Sequence, residues 1–184
     1  GAATFLVPAS EPECVLLVAQ DVARDVQRIA GRLPRIVHSL DACSADTVVV
    51  GSMDVTASVE LVERFLPPAK ALRGRWEVHR VAAVETEIAP IRRALVVAGS
   101  DPRGTMFGLY AFAQRQLGVD ALHFWADRPP AEKKRLAWKR VRFGSREPTF
   151  RYRGWFLNDE DLLTEWFDDG GRRDIGYKYY HQVT

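Results

Sequence analysis

Arg93-Ala-Leu-Val-Val-Ala-Gly-Ser-Asp-Pro-Arg-Gly-Thr105 is the stretch that decides the fold class. Ala94 to Ala98 is continuously apolar, the composition of a strand covered on both faces. Asp101 then offers a carboxylate for an N-cap, and Pro102 suits the first helical position, where its missing N–H costs nothing. The helix is expected to reach Gln116 or Leu117, burying Met106, Leu109, Phe112, Ala113 and Leu117, with Gly118 as its C-cap. Strand, capped turn and helix in succession point to an α/β layer.

Upstream, Val15-Leu-Leu-Val-Ala19 reads as a further buried strand. Asp21 is its successor's N-cap, and Val22, Val26, Ile29 and Leu33 recur at helical spacing until Pro34. Strands are expected at Arg35-Ile-Val-His38 and Thr47-Val-Val-Val-Gly51, and a helix from about Val55 to Phe65, stopped by Pro67-Pro68. Trp76-Glu-Val-His-Arg-Val81 alternates apolar and polar residues, as a strand with one solvated face does. Leu136 to Phe143 is one more candidate strand. Arg146-Glu-Pro148 reads as a hinge, so the expected domains are 1–147, a mixed sheet with flanking helices, and 148–184.

Composition narrows the function classes. A chain of 184 residues, 47% hydrophobic and 27% charged, can bury a globular core. Its 26 basic and 24 acidic residues leave a net charge of +2, and the basic residues are scattered singly, so no nucleic-acid partner is expected. No apolar run approaches the ~20 residues of a membrane span. The start, Gly1-Ala-Ala-Thr-Phe, lacks the basic region of a signal peptide, which leaves the compartment open. Cys14 and Cys43 form no metal-ligand spacing. Cys14 reads as a buried thiol, and a disulfide between the two stays open. The four histidines show no ligand spacing either, so neither metal nor cofactor is expected.

Three motifs carry chemistry or imitate it. Gly99 and Gly104 frame a G-x-x-x-x-G loop between strand and helix, but Thr105 stands where a phosphate-binding lysine belongs. A capped turn accounts for the same residues, with Arg103 paired to Asp101 or to the neighbouring domain and no catalytic work for it. Tyr152 to Leu157 reads as a buried strand that delivers Asn158-Asp159-Glu160-Asp161 at its C-terminal end. Glycoside hydrolysis commonly uses two carboxyl groups ~6.5–9.5 Å apart when it inverts the anomeric centre. Neighbours on an extended strand point to opposite sides, so Asp159 and Glu160 do not make that pair by themselves. Asn158 can hydrogen-bond sugar hydroxyls. The aromatics Trp155, Phe156, Trp166, Phe167, Tyr177, Tyr179 and Tyr180 read mainly as core, although sugar clefts use the same side chains.

A series of short segments is similar in order and spacing to the N-terminal part of glycoside hydrolase family 115. They are Gly74-Arg-Trp-Glu77, Ala94 to Thr105 with Gly108-Leu-Tyr110, Gly118-Val119, Phe124-Trp-Ala-Asp127, and Tyr152-Arg-Gly154 with Asn158-Asp-Glu160. The resemblance covers roughly half of the chain. It implies an α/β domain followed by a TIM-type barrel whose first strand is Arg151 to Leu157. It implies an α-glucuronidase that removes (4-O-methyl)glucuronic acid branches from glucuronoxylan, secreted or periplasmic. Asn158, Asp159 and Glu160 would then bind substrate at the mouth of the glucuronate pocket.

The same resemblance puts the catalytic acid and base on later barrel strands, so this chain is expected to be inactive alone. Asp161-Leu-Leu-Thr-Glu-Trp166 departs from the family's usual small or proline-containing stretch. Two alternatives stay open: a related barrel glycosidase on another sugar, such as a hexosaminidase, and a stand-alone carbohydrate-binding or interaction domain. Oligomeric state is not legible.

Overall fold

The computed structural model describes residues 3–123, 128–137 and 141–154. In chain order the elements are β1 (Thr4–Leu6), α1 (Glu13–Ala30), β2 (Arg35–Val37), β3 (Asp46–Ser52), α2 (Thr56–Phe65), β4 (His79–Glu85), β5 (Arg93–Gly99), α3 (Pro102–Phe112) and β6 (Arg142–Gly144). A 3₁₀ segment, Pro67–Leu72, follows α2, and a π-helical turn, Ala113–Leu117, extends α3. The strands form one mixed sheet in the order β2-β1-β3-β5-β4-β6. Strands β2, β1, β3 and β5 run parallel, whereas β4 is antiparallel to both β5 and β6.

The period of two along each strand divides the core between the sheet's faces. Phe5, Val48, Val50, Leu95 and Val97 pack with α1, α3 and the π turn. Leu6, Val49, Val96 and Ala98 pack with α2 and the 3₁₀ segment. Both faces are therefore covered, which is why β3 and β5 read as unbroken apolar runs. Each fully buried valine in them contributes about 1.5–3 kcal/mol of transfer free energy. The mixed sheet with flanking helices expected from the sequence is what the chain forms.

The first element is a correction. Val15 to Ala19 is not a strand but the opening of α1, where Val15, Val18, Ala19, Val22, Ala23, Val26 and Ile29 make one continuous buried stripe. A five-residue apolar run looks the same on a buried helix as on a covered strand. Asp21 consequently lies inside α1 rather than capping it, and Gly31 at φ +73 ends the helix before Leu33, which is 52% exposed. The strand that precedes this helix is β1. Its three residues gave too short a period to read.

Strand β4 also starts later than its sequence suggests. Glu77 adopts φ +51, in the left-handed region, and this interrupts the extended run before His79. At the far edge, β6 occupies only the last part of the expected 136–143 strand and runs one residue past it.

The chain divides into two units, Gly1–Thr149 and Phe150–Thr184. All the described helices and strands lie in the first. In the second, Tyr152 is 88% exposed, and Tyr152 to Gly154 carry no strand. The buried barrel strand expected from Tyr152 is therefore absent from those three residues. A barrel strand is defined by ladder bonds to its neighbours, and no described residue offers them. The remainder of that expected strand, Trp155 to Leu157, lies outside the described residues.

Candidate functional site

In an open α/β sheet, ligands bind where parallel strands end and the following helices diverge to opposite faces. Here that place is the carboxyl edge of β1, β3 and β5, since α1 follows β1 on one face and α2 follows β3 on the other. The polar groups gathered there form two networks.

Glu11, 4% exposed, anchors the first. Its Oε1 accepts hydrogen bonds from the Ser52 backbone N–H at 2.7 Å and from the Ser58 hydroxyl. Its Oε2 accepts from Ser52 Oγ at 2.7 Å, and Ser52 Oγ lies 2.8 Å from Thr105 Oγ1. Thr105 in turn donates to the Asp101 carbonyl at 3.1 Å. Four segments, the ends of β1 and β3 and the starts of α2 and α3, are thereby tied through one carboxylate. A buried charge is tolerable only when its lone pairs are satisfied in this way.

Asp101 anchors the second. Its Oδ1 caps α3 by accepting from Gly104 N at 2.8 Å, and its Oδ2 accepts from Glu77 N at 2.7 Å and Ser100 Oγ at 3.1 Å. Ser100 Oγ accepts from Val78 N at 2.9 Å. Glu77, buried to 3% of its side chain, pairs with Arg103 Nε at 2.7 Å. Arg103 is thus partnered by Glu77 rather than by Asp101. These contacts hold Glu77 in its left-handed conformation, which costs of order 1–3 kcal/mol for a residue with a Cβ.

The glycine loop is a packing device. A Cβ on Gly104 would stand 2.5 Å from the Val78 carbonyl oxygen, and one on Gly99 would collide with the Thr105 backbone. Close approach of backbone to backbone explains both glycines. Asp54, just past β3, is exposed by area but partly desolvated by neighbouring atoms. That desolvation raises its pKa, and the Asp101 charge raises it further.

Chemically, this edge is a brace. Its carboxylates Glu11 and Asp101 accept hydrogen bonds from the fold's own N–H and O–H groups. No group of three or more His, Cys, Asp and Glu suited to a metal occurs among the described residues. Cys14 and Cys43 are both free, Cys14 partly buried and Cys43 buried. No described helix is long and apolar enough to cross a membrane. The residues expected to bind substrate, Asn158, Asp159 and Glu160, lie outside the described residues.

Sequence reasoning missed Glu11, Ser52 and Ser58. Their partners are 41 and 47 positions apart, and no local spacing signals such a contact.

A solved structure described as a novel family GH115 4-O-methyl-alpha-glucuronidase with specificity for decorated arabinogalactans superposes on 99% of this chain, with a TM-score of 0.78 and 25% identity. The family model described as Glycosyl hydrolase family 115 matches residues 145–184. The chain is similar to the N-terminal portion of a glycoside hydrolase family 115 enzyme. It covers 23% of that solved family 115 chain. No curated protein matches it. The two findings are complementary: the family model falls on the segment carrying Asn158 to Glu160, while the superposition spans the α/β layer as well.

Proposed function

We propose that this chain is the leading part of an α-glucuronidase that removes (4-O-methyl)glucuronic acid branches from a glucuronoxylan-like polysaccharide outside the cytoplasm. The observation that carries this reading is the superposition of nearly the whole chain on a family 115 4-O-methyl-α-glucuronidase. Residues 1–147 act as a supporting α/β domain, and 148–184 open a TIM-type barrel. Asn158 hydrogen-bonds a sugar hydroxyl at the pocket mouth, and Glu160, or else Asp159, holds or polarises the sugar. Hydrolysis needs two carboxyl groups and water, and no cofactor. Glu11 and Asp101 are committed to the brace, and the family resemblance puts the acid and base on later barrel strands.

The solved relative's specificity for decorated arabinogalactans favours a second substrate, a glucuronate-capped arabinogalactan side chain. Both substrates test the same reaction. The 184-residue chain should release no glucuronate from either when products are followed by mass spectrometry. A longer protein containing it should release glucuronate from at least one. In that protein Glu160→Gln should lower kcat/KM by about 10²–10³, the cost of losing a charged contact in the transition state. Turnover by the 184-residue chain itself, or an unchanged Glu160→Gln enzyme, would refute the reading.

A further inference from the structure

At the outer edge of the sheet, β4 and β6 form the floor of a groove of about 330 Å³, at the small end of the range for ligand pockets. In the ladder, Arg80 stands opposite Gly144 and Ala82 opposite Arg142. Alternate residues share a face, so Arg80 and Arg142 project on the same side, diagonally across the pair. Gly144 puts no side chain between them. A Cβ there would stand 2.6 Å from the His79 carbonyl and 3.4 Å from Arg80 Cγ. Arg75 completes the rim; Leu66, Val78 and Ala82 lie behind the groove but are buried in the core.

The charges of this groove are not balanced. Glu147 reaches Arg75 Nε at 3.8 Å and accepts from Trp76 N at 3.1 Å. Arg80 donates to the neutral Pro68 carbonyl at 3.4 Å. Arg142 makes no ion pair among the described residues. Among the described residues, three guanidinium groups thus face a concave surface against one carboxylate, in a chain whose overall charge is only +2. Arginine forks match a planar carboxylate with two parallel hydrogen bonds. A nucleic acid would need a far wider basic field.

We propose that this groove binds a uronate residue of an acidic polysaccharide, its carboxylate held between Arg80 and Arg142. The choice of a uronate rests on the function proposed above, whereas the anion preference rests on the groove itself.

Calorimetric titration of the 184-residue chain with a glucuronate-bearing xylo-oligosaccharide, the matching neutral oligosaccharide and inorganic phosphate tests it. Only the acidic sugar should bind. Its affinity should fall at least tenfold in the double variant Arg80→Ala with Arg142→Ala, and fall with rising salt. Both arginines are solvent-exposed, so the variant should keep the parent's melting temperature. The proposal is overturned by no binding of the acidic sugar, by equal binding of the neutral sugar, by an unaffected double variant, or by phosphate competing at the same concentration. In a longer protein, glucuronate release without variant-sensitive binding would sink this site alone. Variant-sensitive binding without release would sink the proposed activity and leave the site standing.

Discussion

His79 shows how much a single side chain can be constrained by its surroundings. It is 8% exposed, its Nδ1 has no hydrogen-bond partner among the described residues, and its ring meets Phe143 edge-on at 6.5 Å between centroids. Burial, and after it the positive charge of Arg115, push its pKa below the usual histidine value. The folded protein therefore resists a proton that the unfolded chain accepts below about pH 6.5. Stability from this residue is fully present above that pH and declines as pH falls toward the depressed folded value. Urea unfolding at pH 7.5 and 5.5 should show a smaller loss on acidification for His79→Leu than for the parent chain. An equal loss in both would mean that other groups carry the pH dependence. None of this was legible beforehand, because in the sequence His79 was only one polar position in an alternating run.

Helix α3 was legible because its signals are local. Asp101 and Pro102 adjoin the first turn, and Gly118 ends the π-helical extension at φ +82. Asp101 also does work that its neighbours in sequence do not disclose, accepting from Glu77 N and Ser100 Oγ. Asp101→Ala should cost about 2–3 kcal/mol, since it removes a cap and orphans a further backbone donor. Asp101→Asn keeps an oxygen for Gly104 N and should cost about half as much. Chemical denaturation of the two variants measures both values, and equal costs would show that the Oδ2 contacts, not the cap, carry the effect. Helix α1 was half legible. Val22, Val26 and Ile29 gave its second half, but Val15 to Ala19 is apolar on every side. Only the packing of Val15, Val18 and Ala19 against the sheet makes those residues the first turns of the same helix.

Across the whole molecule, both described core clusters draw on nothing beyond Phe143. The sheet, its two helical layers and the Glu11 brace are all contained in the first unit. A chain of residues 1–149 should therefore unfold in one cooperative thermal transition with the far-ultraviolet signal of a mixed α/β protein. A broad, non-cooperative melt would show that the core needs residues after 149. The order of the strands could not have been derived from the pattern of elements. β1 lies between β2 and β3, and β4 is turned antiparallel at the far side of β5.

The sequence by itself determined the α/β class, the buried β3 and β5, the capped start of α3 and the resemblance to family 115. The first three depend on the identity and spacing of residues within a dozen positions, where periodicity and capping act. The resemblance depends on the order of short segments from Gly74 to Glu160. Tertiary structure alone decided that Val15 to Ala19 is helix, that Glu11 clamps Ser52 and Ser58, that Arg103 pairs with Glu77, and that Arg80 and Arg142 share one groove. Those pairings join residues 26 to 62 positions apart. Chain proximity carries no information about contacts made only when separate layers close on one another.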